Sequence, residues 1–143
     1  MWAESARSLF LAPVNPKRTV KVRCRPDILR QGNLIADLKT TDDAGFRGFQ
    51  KSFANFHYHR QAAFYCDLVS QITGEKYDTF TIIAVEKTAP YAVQVFALDE
   101  GTLEKGREEY QRGLAVYREC MLTNKWPAYS DDVVPLNLPS WAF

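Results

Sequence analysis

Three side chains in one short stretch, Asp27, Asp37 and Lys39, are of the types and spacing that could do chemistry. Two carboxylates brought together make a site for a hard divalent cation with oxygen ligands, such as Mg²⁺. An ammonium beside them can orient or deprotonate a water, or stabilise negative charge developing on a crowded phosphate. Phosphodiester hydrolysis uses all of these, with one or two metal ions as Lewis acids that orient the attacking and leaving groups.

Whether the three meet depends on the segment that carries them. Gln31-Gly32-Asn33 is a three-residue loop containing Gly, flanked by residues 20–29 and 34–40, and reads as the tip of a β-hairpin. Pairing Arg30 with Leu34 sets Ile28 opposite Ala36, Asp27 opposite Asp37, and Arg25 opposite Lys39. Alternation then gives one apolar face, Val22, Cys24, Pro26, Ile28, Leu34, Ala36 and Leu38, which fixes the register, and one charged face. Like charges directly opposed are destabilising unless something neutralises them. The backbone carbonyl of Leu38 is a further candidate metal ligand. The same four charges, Arg25, Asp27, Asp37 and Lys39, also suit a lattice of exposed ion pairs worth about 0–1 kcal/mol each, and spacing alone does not choose between the two.

The chain has 143 residues, 46% of them hydrophobic, which fits one globular domain spanning 1–143. No apolar stretch is long enough to span a bilayer, and the first 16 residues lack the basic start and apolar centre of a signal peptide, so a cytoplasmic protein without a membrane partner is expected. Cys24, Cys66 and Cys120 are odd in number and widely spaced, as buried thiols rather than a disulfide framework or zinc site would be. Net charge is +1, but residues 17–60 hold ten Lys/Arg against four acids, a local +6 that leaves −5 for the remainder. A basic field around an acid pair suits a polyanionic substrate; an ordinary solvated face would show the same count.

Residues 1–19 show no clear period, and 40–48 are turn-rich. One helix is expected between 49 and 72, from Phe53, Phe56, Phe64, Leu68 and Ile72 at helical spacing, with Gly74 as its stop. Residues 77–86 and 91–98 read as strands joined at 87–90. From Asp99, a candidate N-cap, a long helix carries Leu103, Tyr110, Leu114, Tyr117 and Met121 as an apolar stripe. After Asn124 the Pro- and Trp-rich end is expected to pack as an extended tail against the sheet. The order strand, strand, helix, strand, strand, helix is an α/β arrangement with a mixed, largely antiparallel sheet.

Arg25-Pro26-Asp27, then Asp37-Leu38-Lys39-Thr40, then Gln61-Ala62-Ala63-Phe64-Tyr65 on the next helix together resemble the PD-(D/E)xK nuclease superfamily. Within it, the exonuclease VIII (RecE-like) branch is the most similar. The likeness continues through Val85-Glu86-Lys87, Pro90-Tyr91, Trp126-Pro127 and Leu138-Pro139-Ser140-Trp141. The resemblance implies a restriction-endonuclease-like core, a Mg²⁺ cofactor with Mn²⁺ as substitute, and exonucleolytic hydrolysis of double-stranded DNA from an end in phage-type recombination. It makes Asp27 and Asp37 metal ligands, Lys39 the catalytic lysine, and Gln61 and Tyr65 site residues that touch DNA or order the lysine. Arg25 and Thr40 become DNA contacts. Of His57 and His59, one could touch phosphate, although solvated histidines are the plainer reading; Glu86 is expected to be a structural ion-pair partner of Lys87. The implied partners are double-stranded DNA ends, a single-strand annealing protein and further copies of the chain. Family members usually carry upstream helices with another acidic or histidine site residue. Only 26 residues precede Asp27 here, with Glu4 their sole carboxylate, so the resemblance covers the C-terminal part of the family domain. A catalytically silent DNA-binding or assembly module that retains the nuclease core is the alternative.

Overall fold

The computed structural model describes Leu9–Phe10 and residues 20–142; Glu4 lies outside the described residues. A two-stranded antiparallel ribbon joins β1 (Leu9–Phe10) to β2 (Arg23–Cys24). The main sheet has the order β3 (Ile28–Arg30), β4 (Leu34–Thr41), β5 (Thr79–Glu86), β6 (Val93–Ala97). Its outer pairs are antiparallel, and β4 runs parallel to β5. A parallel pair needs a crossover, supplied here by α1 (Phe46–Asn55) and α2 (Tyr58–Thr73), while α3 (Glu100–Thr123) packs on α2. This is the mixed, mostly antiparallel α/β architecture expected.

Local chemistry explains the boundaries. Gly32 and Asn33 take φ of 87° and 84° at the hairpin tip, a region that Gly and Asn tolerate best. The Asn33 side-chain oxygen accepts from the amides of Asp78 (2.5 Å) and Thr79 (3.3 Å), which ties the tip to the start of β5. Gly74 closes α2 in the left-handed region, its amide donating to Ser70 O at 3.0 Å. Asp99 caps α3 by accepting from the Thr102 amide at 2.6 Å.

The strand expected over residues 20–29 is broken. Pairing of β3 with β4 is Arg30 to Leu34 and Ile28 to Ala36, as the loop length demands, but stops there. Pro26 has no amide to donate and a fixed φ, so Asp27 and Arg25 lie outside the ladder rather than opposite Asp37 and Lys39.

The core also lies on the other face from that implied by the apolar alternation. The parallel register sets Ile35 beside Phe80, Asp37 beside Ile82 and Lys39 beside Ala84. Ile35, Phe80, Ile82 and Ala84 are buried with Ala62, Cys66 and Val69 of α2 and Leu103 of α3. Positions 62, 66 and 69 form one stripe of α2. The charged positions of β4 thus share the face under the helices, and Leu38, on the opposite face, is 53% exposed.

Two further expectations fail. The single helix is two, broken where His57 adopts φ 53° and ψ 41°. Tyr58 then turns its ring back onto α1, 6.3 Å from both Phe49 and Phe53 and 5.6 Å from Phe56. The C-terminal segment does not pack against the sheet: Tyr129, Val133, Leu136, Leu138 and Trp141 are exposed, and Trp126 meets Tyr117 of α3 edge-on at 5.8 Å. On the α3 stripe, Leu103 is buried and Tyr110 and Leu114 are half-buried, whereas Tyr117 and Met121 face solvent. All three cysteines are buried free thiols. Burial pushes Cys24 up to about 11 and Cys66 up to about 12, which keeps both protonated at neutral pH.

Candidate active site

Asp37 sits in the middle of β4 and is 2% exposed. A carboxylate this deep is unfavourable unless its oxygens are partnered. One oxygen pairs with the Lys39 ammonium from the same face of the strand. The other accepts from Gln61 Nε2 on α2 at 3.2 Å. Asp27, just ahead of β3 and solvent-exposed, reaches across to accept from the Leu38 amide at 3.0 Å. Leaving the ladder at Pro26 is what allows that reach.

Burial pushes the Asp37 carboxyl above the usual carboxylate range; the Lys39 ammonium pulls it back, and the adjacent negative charge of Asp27 raises it again. Two neighbouring carboxylates, one of them shielded from water and raised by the charge of the other, are an oxygen donor set with excess negative potential. This suits a hard divalent cation, and Asp27 and Asp37 are the residues that would hold it.

Of the other expected site residues, Gln61 is brought to the acids. Tyr65 is not: its ring packs edge-on against Phe80 of the core at 6.5 Å and beside Phe64 at 6.3 Å. Thr40 is exposed on the opposite side of β4 from Asp37 and Lys39, and Arg25 is exposed beyond the ladder. Leu38 engages Asp27 through its amide. Glu86 accepts from the Ala44 amide at 3.0 Å and Lys87 pairs with Asp42 at 3.1 Å, so both brace the connection between β4 and α1 rather than each other. His57 is exposed, but His59 is half-buried between α2 and α3, not solvated.

One neighbour escaped sequence reasoning. The Tyr58 ring lies 4.8 Å from Lys39 Nζ, a cation–π contact that gives the ammonium a second partner besides Asp37. Tyr58 and Gln61 are three apart on one helix, hence on one face, and that spacing was a readable signal. An apolar cavity of about 220 Å³, lined in part by Phe46, Phe49, Phe53, Phe96 and Leu98, does not include either acid.

The model of a PDDEXK-like domain of unknown function (DUF3799) matches residues 14–136. The chain belongs to this PDDEXK-like family. Its matched stretch contains Pro26-Asp27, Asp37-Leu38-Lys39 and the Gln61 helix. No curated protein matches the chain. Among solved structures, a "putative exonuclease" from Eubacterium rectale superposes with a TM-score of 0.66 at 17% identity, covering 97% of this chain and 56% of its own length. SSO0001 aligns with a TM-score of 0.43 at 16% identity over 76% of this chain and 47% of its own. The first of these shares the fold, and this PDDEXK-like chain spans about half of its length.

Proposed function

We propose that this PDDEXK-like chain is a metal-dependent deoxyribonuclease of the exonuclease VIII (RecE-like) kind, hydrolysing double-stranded DNA from an end in phage-type recombination within the cytoplasm. The observation that supports it most is the buried Asp37 carboxylate, gripped by Lys39 and Gln61 with the Asp27 carboxylate at its side. A structural ion pair gains nothing from a second acid beside it; a cation site does. Mg²⁺, or Mn²⁺ in its place, supplies Lewis-acid polarisation of the phosphate and of a bound water.

The chain's own residues do the rest. Asp27 and Asp37 hold the cation, and the Leu38 amide fixes the Asp27 carboxylate. Lys39, aimed by Tyr58 and Asp37, presents an ammonium that orients the attacking water and stabilises charge on the phosphate. Gln61 holds the outer oxygen of Asp37 and so fixes its rotamer. Arg25 and Thr40, both exposed, are the DNA contacts of this reading, Thr40 from the face of β4 away from Asp37; Tyr65 braces α2 from the core side. Double-stranded DNA ends, a single-strand annealing protein and further copies of the chain are the partners this role calls for.

The test is release of nucleotides from linear, end-labelled duplex with Mg²⁺ or Mn²⁺. Asp37→Ala and Lys39→Ala should each lower the rate by at least about 10²–10⁴-fold, while covalently closed circles should resist digestion. Unchanged rates in both variants would remove the proposal. DNA binding that weakens with salt, without turnover under any divalent ion, would instead identify the silent module.

A further inference from the structure

A second cluster of ligating atoms stands at the α2 start, against α3. His57, His59 and Glu109 each offer one donor atom, and the three atoms lie within 4.8 Å of one another. We propose that these residues bind one transition-metal ion of the zinc class, at a site separate from the oxygen-only pair Asp27 and Asp37.

The donor set decides the class of metal. Two imidazoles and a carboxylate are borderline ligands that favour Zn²⁺, Co²⁺ or Ni²⁺ over Mg²⁺. Metal–nitrogen and metal–oxygen bonds of about 2.0–2.2 Å in a tetrahedron put ligand atoms roughly 3.3 Å apart. His59 Nε2 and Glu109 Oε2 are already 3.0 Å apart. His57 is exposed, so its ring can swing the remaining distance without disturbing the core. Three protein ligands would leave a fourth position open to water.

The fold goes out of its way to assemble this cluster. His57 occupies the left-handed region, φ 53° and ψ 41°, at the junction of α1 and α2, which sets its ring 5.8 Å from that of His59. On the facing helix, Gly106 allows close approach: a Cβ there would lie 2.1 Å from the His59 carbonyl oxygen. Glu109 is three residues further along α3 and is thereby carried to His59. Two cations face the same carboxylate, Arg60 at 2.5 Å and Lys105 at 3.8 Å. Arg60 is therefore the ion's competitor for Glu109, which gives the proposal a signature that a purely structural ion pair would not produce.

The experiment is a Co²⁺ titration of the whole chain in millimolar Mg²⁺, read by the visible absorption of imidazole-ligated cobalt, with Zn²⁺ added to displace it. Wild type should show one equivalent of tight binding. Glu109→Gln and His57→Asn should weaken it by about 100-fold or more, taking lost ligands to cost at least what lost supporting contacts do; Asn is chosen because it tolerates the left-handed backbone. Arg60→Gln should tighten it, and Asp37→Ala should leave it unchanged. Far-UV circular dichroism verifies that each variant is folded. Absence of the band in both wild type and Arg60→Gln overturns the assignment, as does a band that survives in Glu109→Gln and His57→Asn or vanishes in Asp37→Ala.

Discussion

Asp37 is buried and Asp67 half-buried, yet the surroundings of these two acids differ in kind. Asp67, on α2, accepts two bonds from Arg107 Nε and Nη2 at 2.8 Å and a third from the Tyr110 hydroxyl at 2.5 Å. Its charge is matched by a planar, bidentate partner, the arrangement that makes an ion pair strong. Arg107 is held above its ordinary range chiefly by that contact, and Tyr110 is pushed up to about 12, mainly by burial and then by Asp67. Asp37 has one ammonium, one amide and a second acid beside it, and its carboxyl is driven upward. The acid with surplus partners fastens two helices together. The acid with fewer partners, beside a second carboxylate, is the one proposed to take a cation.

The α2–α3 seam should prove the more sensitive of the two regions. Gly106→Ala drives a methyl group to 2.1 Å from the His59 carbonyl and 3.0 Å from Ala63 Cβ, and helix backbone cannot yield as a side-chain tip can. The expected loss is about 3 kcal/mol, at the top of the overpacking range, visible as a lower midpoint in urea unfolding. Gly113→Ala on the same helix, with nothing within 4 Å, should instead gain a little through helix propensity. If both variants behaved alike, close helix contact would not be what assembles this seam.

Asp67→Asn comes next. The amide keeps its shape and one acceptor but forfeits the charge that Arg107 and Tyr110 face. Breaking a fully buried pair costs about 3–5 kcal/mol; here both side chains retain some water contact, and Glu104 still pairs with Arg107, so about 2 kcal/mol is expected. DNA hydrolysis should survive at temperatures where the variant stays folded. A large loss of activity without loss of stability would mean that Asp67 has been placed in the wrong half of the comparison.

Which half an acid belongs to was only partly legible from letters. The Gly32 loop, its Arg30–Leu34 pairing, the Asp99 cap and the Gly74 stop follow from local rules that act within a few residues, and the structure keeps them. Pro26 was visible, yet its effect on the ladder had to be weighed against a run of apolar residues that suggested an unbroken strand. The left-handed turn at His57 has neither Gly nor Pro to announce it; long-range stacking of Tyr58 on Phe49 and Phe53 stabilises it. Alternation alone could not say which face of β4 is covered, because Ile35 and Leu38 are equally apolar, and β5 and α2 decide it. Asp37 was therefore recognisable as a candidate site residue by its spacing to Lys39 and its family resemblance, but its burial was not. Asp67 drew no attention at all, since its partners lie some 40 residues away on α3.

The smallest effect tests the site half of the comparison directly. Asp37 has a folded pKa raised above its unfolded value, so its contribution to stability is complete below the unfolded pKa and is lost as pH rises through the folded one. At pH 7 the ionised group is thus a burden on the fold, lightened but not cancelled by Lys39. Asp37→Asn removes the charge and keeps one acceptor, for the ammonium, while its Nδ2 replaces the oxygen that Gln61 faces, so the Gln61 amide must turn over to accept from it. The variant's Tm at pH 7 should exceed that of the wild type, and the gap should close as pH falls below the carboxyl's unfolded pKa. Nuclease activity should be lost in the same variant, since an uncharged amide cannot replace the carboxylate as a cation ligand. Adding Mg²⁺ should raise the Tm of the wild type and not that of Asp37→Asn, because a ligand stabilises only the state that binds it. A variant less stable than wild type at pH 7 and equally responsive to Mg²⁺ would make Asp37 one more structural ion pair, no different in kind from Asp67.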